Sequence, residues 1–195
     1  LLVRLLRAHL DRSRLIHAVV PARAQDRGAN PHGLRDADLA LAVDGAIWAS
    51  FGTAGQRCTS AGNIILDRPI AKEFRDRFVD RAKKLRVGDP RRDDVDYGPL
   101  IHERFLERWL AQRETGLVDG ATLALDGGRV ESGREPAGFS GNAGRGLYVT
   151  PRVFEGVAMS MRVAQEECFG PTVNLVEVEG FEEAMAAANG TPYGL

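Results

Sequence analysis

The chain has 195 residues, 44% hydrophobic and 27% charged, the balance of a globular protein with a core of its own rather than of a membrane-embedded or disordered one. Its formal net charge of −1 hides an asymmetry, because residues 1–35 carry seven Arg against two Asp and the remainder is acidic. That basic stretch has neither aromatic residues to stack on bases nor a lysine cluster, so no nucleic-acid partner is expected.

Leu1-Leu-Val-Arg-Leu-Leu-Arg has the look of a targeting start, but Arg7, Asp11, Arg12 and Arg14 interrupt any continuous apolar run. Neither a signal peptide nor a transmembrane helix is read there. Leu1, Leu2, Leu5, Leu6 and Leu10 could instead share one face of a surface helix. Two cysteines without disulfide-framework spacing suit a reducing compartment, and a cytoplasmic location is expected.

From residue 36 the pattern firms up. Asp36 or Asp38 is placed to cap a helix whose inward positions are Leu39, Val43, Ala46, Ile47 and Ser50, with Trp48 expected in the core. The helical run ends in Phe51-Gly-Thr-Ala-Gly-Gln-Arg-Cys58-Thr-Ser60. Gly52 and Gly55 allow a sharp turn there, so Cys58 is presented at a loop rather than buried in an element. A cysteine acts as a nucleophile through its thiolate, which backbone N–H groups, a nearby cation or a base must favour. Arg57 is adjacent in sequence, which does not place its guanidinium on the sulfur. The structural alternative for any lone cysteine is a small buried hydrophobe.

Next come a short β-branched strand at Asn63–Leu66 and an amphipathic helix with Ile70, Phe74, Phe78, Ala82 and Leu85 inward, its charges forming a solvated face. Val87-Gly-Asp-Pro90 and Tyr97-Gly-Pro-Leu100 read as turns. A second helix is predicted from Ile101 to Leu117 with Ile101, Phe105, Trp109 and Leu110 inward. His102 at its start is read as structural. A strand at Ala121–Leu125 precedes a glycine-rich loop from Asp126 to Gly146, which lacks the strand-to-helix context of a phosphate cradle. Extended structure resumes at Gly146–Pro151. A strand at Val173–Val178 and a helix at Phe181–Asn189 close the pattern. Alternating strands and helices over 36–195 predict an α/β fold with an open, mainly parallel twisted sheet flanked by helices.

Two segments carry a resemblance. Gly55-Gln56-Arg57-Cys58, preceded by Asp36-Ala37-Asp38, resembles the active-site cysteine segment of the aldehyde dehydrogenase superfamily, with wording similar to its semialdehyde-oxidising branches. Glu166-Glu167-Cys168-Phe169-Gly170-Pro171 resembles that family's second signature, in the right order and at the right separation. The resemblance implies oxidation of an aldehyde to a carboxylic acid with NAD or NADP. Cys58 would be the nucleophile, Glu167 the residue that binds the nicotinamide ribose, and Phe169 the one packed beside the nicotinamide. No metal is implied, and Cys168 and Glu166 are read as structural, with oxidative pairing of Cys168 and Cys58 a further option.

The match has limits. The glutamate that activates water in the family falls, by spacing, at Ala24, and residues 1–35 match only from Asn30-Pro31. A frame shift upstream of about residue 30 or a diverged surface helix would each produce this. The expected organisation is an atypical stretch over 1–35 and a catalytic-domain-like unit over 36–195. The family's dinucleotide-binding half and its C-terminal oligomerisation segment have no counterpart, so the chain reads as a fragment expected to be inactive alone. A non-catalytic interaction protein and a cysteine hydrolase pairing Cys58 with His102 are the alternatives.

Overall fold

The computed structural model describes residues 16–20 and 39–192. A five-stranded sheet has the order β1-β2-β5-β4-β3, with β1 Ile16–Val20, β2 Ala61–Asp67, β3 Thr122–Leu125, β4 Arg152–Glu155 and β5 Thr172–Val178. β1, β2, β5 and β4 run parallel, and only the β3–β4 pairing is antiparallel. The expected open, mainly parallel sheet is what forms. The Ile-His-Ala-Val-Val run of β1 lies inside the Arg-rich stretch, where no strand was anticipated. The proposed helix at Leu1–Leu10, the caps Asp36 and Asp38, Ala24, and Asn30-Pro31 fall outside the described residues.

Helices cover both faces of the sheet. α1 Leu39–Phe51 and α2 Arg68–Lys83 pack on one side, where Ile64, Leu66, Val173 and Leu175 meet Val43, Ile47, Phe51, Phe74 and Phe78. On the other side Ile65, Val176 and Val178 meet Val163 and Ala164 of the short α4 Arg162–Gln165, and Ala184 and Ala187 of α5 Gly180–Ala188. Strands covered twice lose the polar alternation of a half-exposed sheet, which is why β2 and β5 read as near-continuous apolar runs. α2 begins with Pro69 in its first turn, where the missing N–H loses no bond. The charges of α2 form the expected solvated face, on which Lys72 pairs with Asp76 and Arg77 with Glu73.

Two packing expectations are corrected. Trp48 is 67% exposed, because the buried face of α1 runs through positions 43, 46, 47, 50 and 51 and position 48 lies about 100° round from 47. In α3 Glu103–Val118 the buried face is Leu106, Trp109, Gln112 and Gly116. Ile101 and Leu110 are exposed and Phe105 is half-buried. Ile101 precedes the helix, which starts after His102, so helical periodicity does not govern it; Leu110 is one step past Trp109 and turns outward.

Candidate active site

Sheet register brings the two signature segments together. β2 and β5 are adjacent and parallel, and Asn63 pairs with Asn174. Cys58 lies five residues upstream of Asn63, and Phe169 five residues upstream of Asn174, so both leads enter the sheet from the same end. The two asparagines are buried and pin this register. Asn174 Nδ2 donates to Asn63 Oδ1 at 2.8 Å and to the Val163 carbonyl at 2.8 Å, and Asn63 Nδ2 donates to the Ala164 carbonyl at 2.9 Å. Those carbonyls belong to α4, the element that leads directly into Glu166 and Glu167. Sequence reasoning missed this pair; its only signal is an Asn at the same place in two apolar strands.

The cysteine loop is tightly wound. Thr53, Ala54 and Gly55 all have positive φ, at 60°, 56° and 66°. Left-handed backbone at two residues that carry a Cβ costs on the order of 1–3 kcal/mol each, and strain of this kind collects at functional sites. A hydrogen-bonded turn follows, in which Ser60 N–H donates to the Arg57 carbonyl at 2.9 Å and Arg57 N–H to Ser60 Oγ at 3.3 Å. Cys58 and Thr59 form the tip of this turn, and Cys58 is exposed, as its sequence context predicted. Gln56 fastens the loop to the turn before α3, donating to the Pro99 carbonyl at 3.2 Å and accepting from Ile101 N–H at 2.8 Å. The Arg57 guanidinium turns to α1, where it lies 4.2 Å over the Trp48 ring and donates to the Trp48 carbonyl at 3.2 Å.

The second segment packs against the first. Phe169 also has a left-handed backbone, φ 57°, and its ring lies 4.9 Å from that of Phe105 on α3. A Cβ on Gly55 would sit 2.3 Å from the Gly170 carbonyl oxygen, so the two backbones touch at a point only glycine permits. A narrow cleft is lined from both sides, by Ser50, Gly55, Arg57 and Ser60 and by Glu167, Phe169 and Gly170. Glu167 also borders a wider cleft of about 470 Å³ between α3 and α4, with Arg108, Gln112, Thr115 and Arg162 around it. The Arg108 guanidinium reaches the Glu167 carbonyl at 3.5 Å, and Gln112 Oε1 is buried without a hydrogen-bond partner.

The remaining groups are held by contacts within the fold. Cys168 is half-buried with its sulfur turned inward, 3.9 Å from Thr172 Oγ1, and burial pushes the thiol up to about 12 although Thr172 and Arg152 pull the other way. Both cysteines are free thiols. Glu166 pairs with Arg162 one turn earlier on the surface. His102 caps α3, its Nδ1 accepting from Arg104 N–H at 3.2 Å. Among the described residues no group of three His, Cys, Asp or Glu is placed to hold a metal, and no helix is long and apolar enough to cross a membrane.

Known proteins are similar to this chain in sequence and fold. The profile of the aldehyde dehydrogenase family matches residues 27–195. The α-ketoglutaric semialdehyde dehydrogenase of Bacillus subtilis (strain 168) is 34% identical over 160 residues, which cover 82% of this chain and 31% of that enzyme. A mutant of aldehyde dehydrogenase C from Pseudomonas syringae, solved with NAD+ and octanal, is similar with a TM-score of 0.70 and 34% identity over 81% of this chain and 31% of its own. Betaine aldehyde dehydrogenase from Staphylococcus aureus, solved with NAD+, gives 0.72 and 31% over 80% and 30%. The chain thus spans about a third of the length of these relatives. With the profile covering most of its residues, the chain belongs to the aldehyde dehydrogenase family.

Proposed function

We propose that Cys58 is the nucleophile of an aldehyde oxidation in which Glu167 and Phe169 hold a nicotinamide cofactor. The observation that carries this reading is the narrow cleft lined by Arg57 and Ser60 of the cysteine turn and by Glu167, Phe169 and Gly170, closed by the Gly55–Gly170 contact; Cys58 is not among its lining residues and sits at the exposed tip of the turn. The residues around Glu167 fit the proposed cofactor. An ionised carboxylate only accepts, which suits ribose hydroxyls, and Arg108 supplies positive charge in a cleft of ordinary ligand size. Phe169, braced by Phe105, presents an apolar ring beside it.

In this mechanism the Cys58 thiolate adds to the aldehyde carbonyl carbon, forming a C–S bond and an oxyanion. The Cys58 backbone N–H, held by the Arg57–Ser60 turn, is the donor this chain brings to that oxygen; such a preorganised donor is worth about 3 kcal/mol. When bound, NAD or NADP supplies the hydride acceptor that makes the step an oxidation. The product thioester on Cys58 is then released by water. The turn and the loop's tie through Gln56 keep the sulfur oriented throughout.

The 195-residue chain spans about a third of its relatives, and on its own it turns over no aldehyde in this reading. The substrate class is a small-molecule aldehyde, the surroundings are the cytoplasm, and residues 36–195 form one catalytic-domain-like unit. The test is alkylation of the chain with iodoacetamide near pH 7.5, followed by mass spectrometry. Cys58 should be modified, Cys168 spared, and an aldehyde should slow the reaction at Cys58. Steady-state NADH production should be absent with a broad aldehyde panel. Equal labelling of both cysteines, or no aldehyde effect at Cys58, rejects the nucleophile assignment. Robust NADH production rejects the inactivity of the chain by itself.

A further inference from the structure

Arg152 opens β4 and is 1% exposed, a charge placed in the core without a carboxylate in hydrogen-bonding contact. Asp126 is 4.0 Å away, and burial brings the guanidinium down to about 10, so it remains a cation at neutral pH. Removing a cation from water costs several kcal/mol unless its surroundings replace the lost hydration. Here the replacement is partial, since Nε is buried without a hydrogen-bond partner while both terminal nitrogens are bonded. Nη1 donates to the Trp109 carbonyl at 2.6 Å, Nη2 to the Gly127 carbonyl at 3.1 Å, and the guanidinium carbon lies 3.8 Å from the centre of the Trp109 ring. The same residue reaches the second signature through its backbone, because Arg152 N–H donates to the Pro171 carbonyl at 2.9 Å.

Trp109 passes this constraint on. Its indole is fully buried, and a Cβ on Gly170 would meet Trp109 Cδ1 at 2.8 Å, so the ring edge rests on the Gly170 backbone. The Gly170 carbonyl in turn rests on Gly55, three residues before Cys58. Guanidinium, indole, Gly170 and Gly55 therefore form one column in which every member touches the next. Close-packed interiors transmit displacements along such contacts, since no void is available to absorb them.

We propose that Arg152 is a positioning residue, which sets the separation of the Cys58 turn from Glu167 and Phe169 by clamping Trp109 against Gly170. The proposal rests on reading those two segments as one site, but its test does not use the chemistry of that site.

The test is amide hydrogen exchange on the full chain, without aldehyde or cofactor, comparing Arg152→Met and Arg152→Lys with the parent. The hydrogen-bonded amides of Gln56, Arg57 and Ser60 should exchange about tenfold faster in Arg152→Met, while the amides of the fully buried β2 residues Ile65 and Leu66, which report the whole fold, keep their rates. Arg152→Lys, which retains a cation against the ring, should recover most of the protection. Uniform acceleration, unchanged rates in the Cys58 turn, or no recovery with lysine each overturns the proposal. Should Arg152→Met not fold, Trp109→Phe takes its place. It withdraws the ring edge from Gly170 but leaves the carbonyl bonded to Arg152, so the same local acceleration is expected and its absence is equally decisive. Because exchange is read on the backbone, an unreactive Cys58 would defeat the proposed chemistry and leave this result standing.

Discussion

Cys58 and Cys168 show how position, not residue type, decides what a thiol does. The first is exposed at the tip of a turn; the second is turned inward beside Thr172. In an unfolded chain a thiol titrates at about 8.5, whereas burial holds Cys168 at about 12 in the fold. Between those values the unfolded chain has lost a proton that the folded one keeps. The Cys168 contribution to stability is therefore fully present below about pH 8.5 and is lost as pH rises toward 12. Tyr97, raised well above the usual phenol range by burial and donating its hydroxyl to the Val149 carbonyl, acts with the same sign at higher pH. The melting temperature should fall through this alkaline window, and Cys168→Val should flatten its lower part while leaving the Tyr97 part in place. An unchanged profile in the variant would show that the thiol is not the titrating group.

At the scale of elements, the proposed site is made by two leads into neighbouring strands. The sequence carried the residue types of both leads, and their family wording named Cys58, Glu167 and Phe169. It did not carry their proximity, which depends on β2 and β5 becoming adjacent and parallel, a long-range pairing with no local signature. Helix faces show the same boundary between local and distant information. The apolar spacing of α2 located Phe74, Phe78 and Ala82, whereas Trp48 and Leu110 were misplaced because a large apolar side chain does not reveal its angle on the helix. The contact between the leads is testable through Gly55. A Gly55→Ala chain must place a Cβ at left-handed φ and against the Gly170 carbonyl. A loss of about 3 kcal/mol in urea unfolding is expected, from backbone strain together with overpacking. A loss below about 0.5 kcal/mol would mean that the two leads are not in contact.

For the whole molecule, alternation of strands and helices sufficed to predict a mainly parallel sheet covered on both faces. The antiparallel β3–β4 pairing and the buried Arg152 were not legible, since each answers to partners distant in sequence. A rule of thumb for open parallel sheets looks for ligands beyond the carboxyl ends of the strands. Here both signature segments precede their strands and lie at the amino ends. Chain length consequently has different meanings in different places. The Asp126–Gly146 loop meets solvent at Gly133, where nothing crowds the backbone, and two residues inserted there should cost less than about 1 kcal/mol. One residue inserted between Ser60 and Ala61 should leave the sheet intact yet abolish the aldehyde effect on Cys58 alkylation, and an undiminished effect would contradict this. The bonded asparagines act as a common zero mark, from which each lead is measured out to the same length. A change in one spacer would have to be answered by an equal change in the other, whereas the chain joining them accepts added length only in exposed loops such as the one at Gly133.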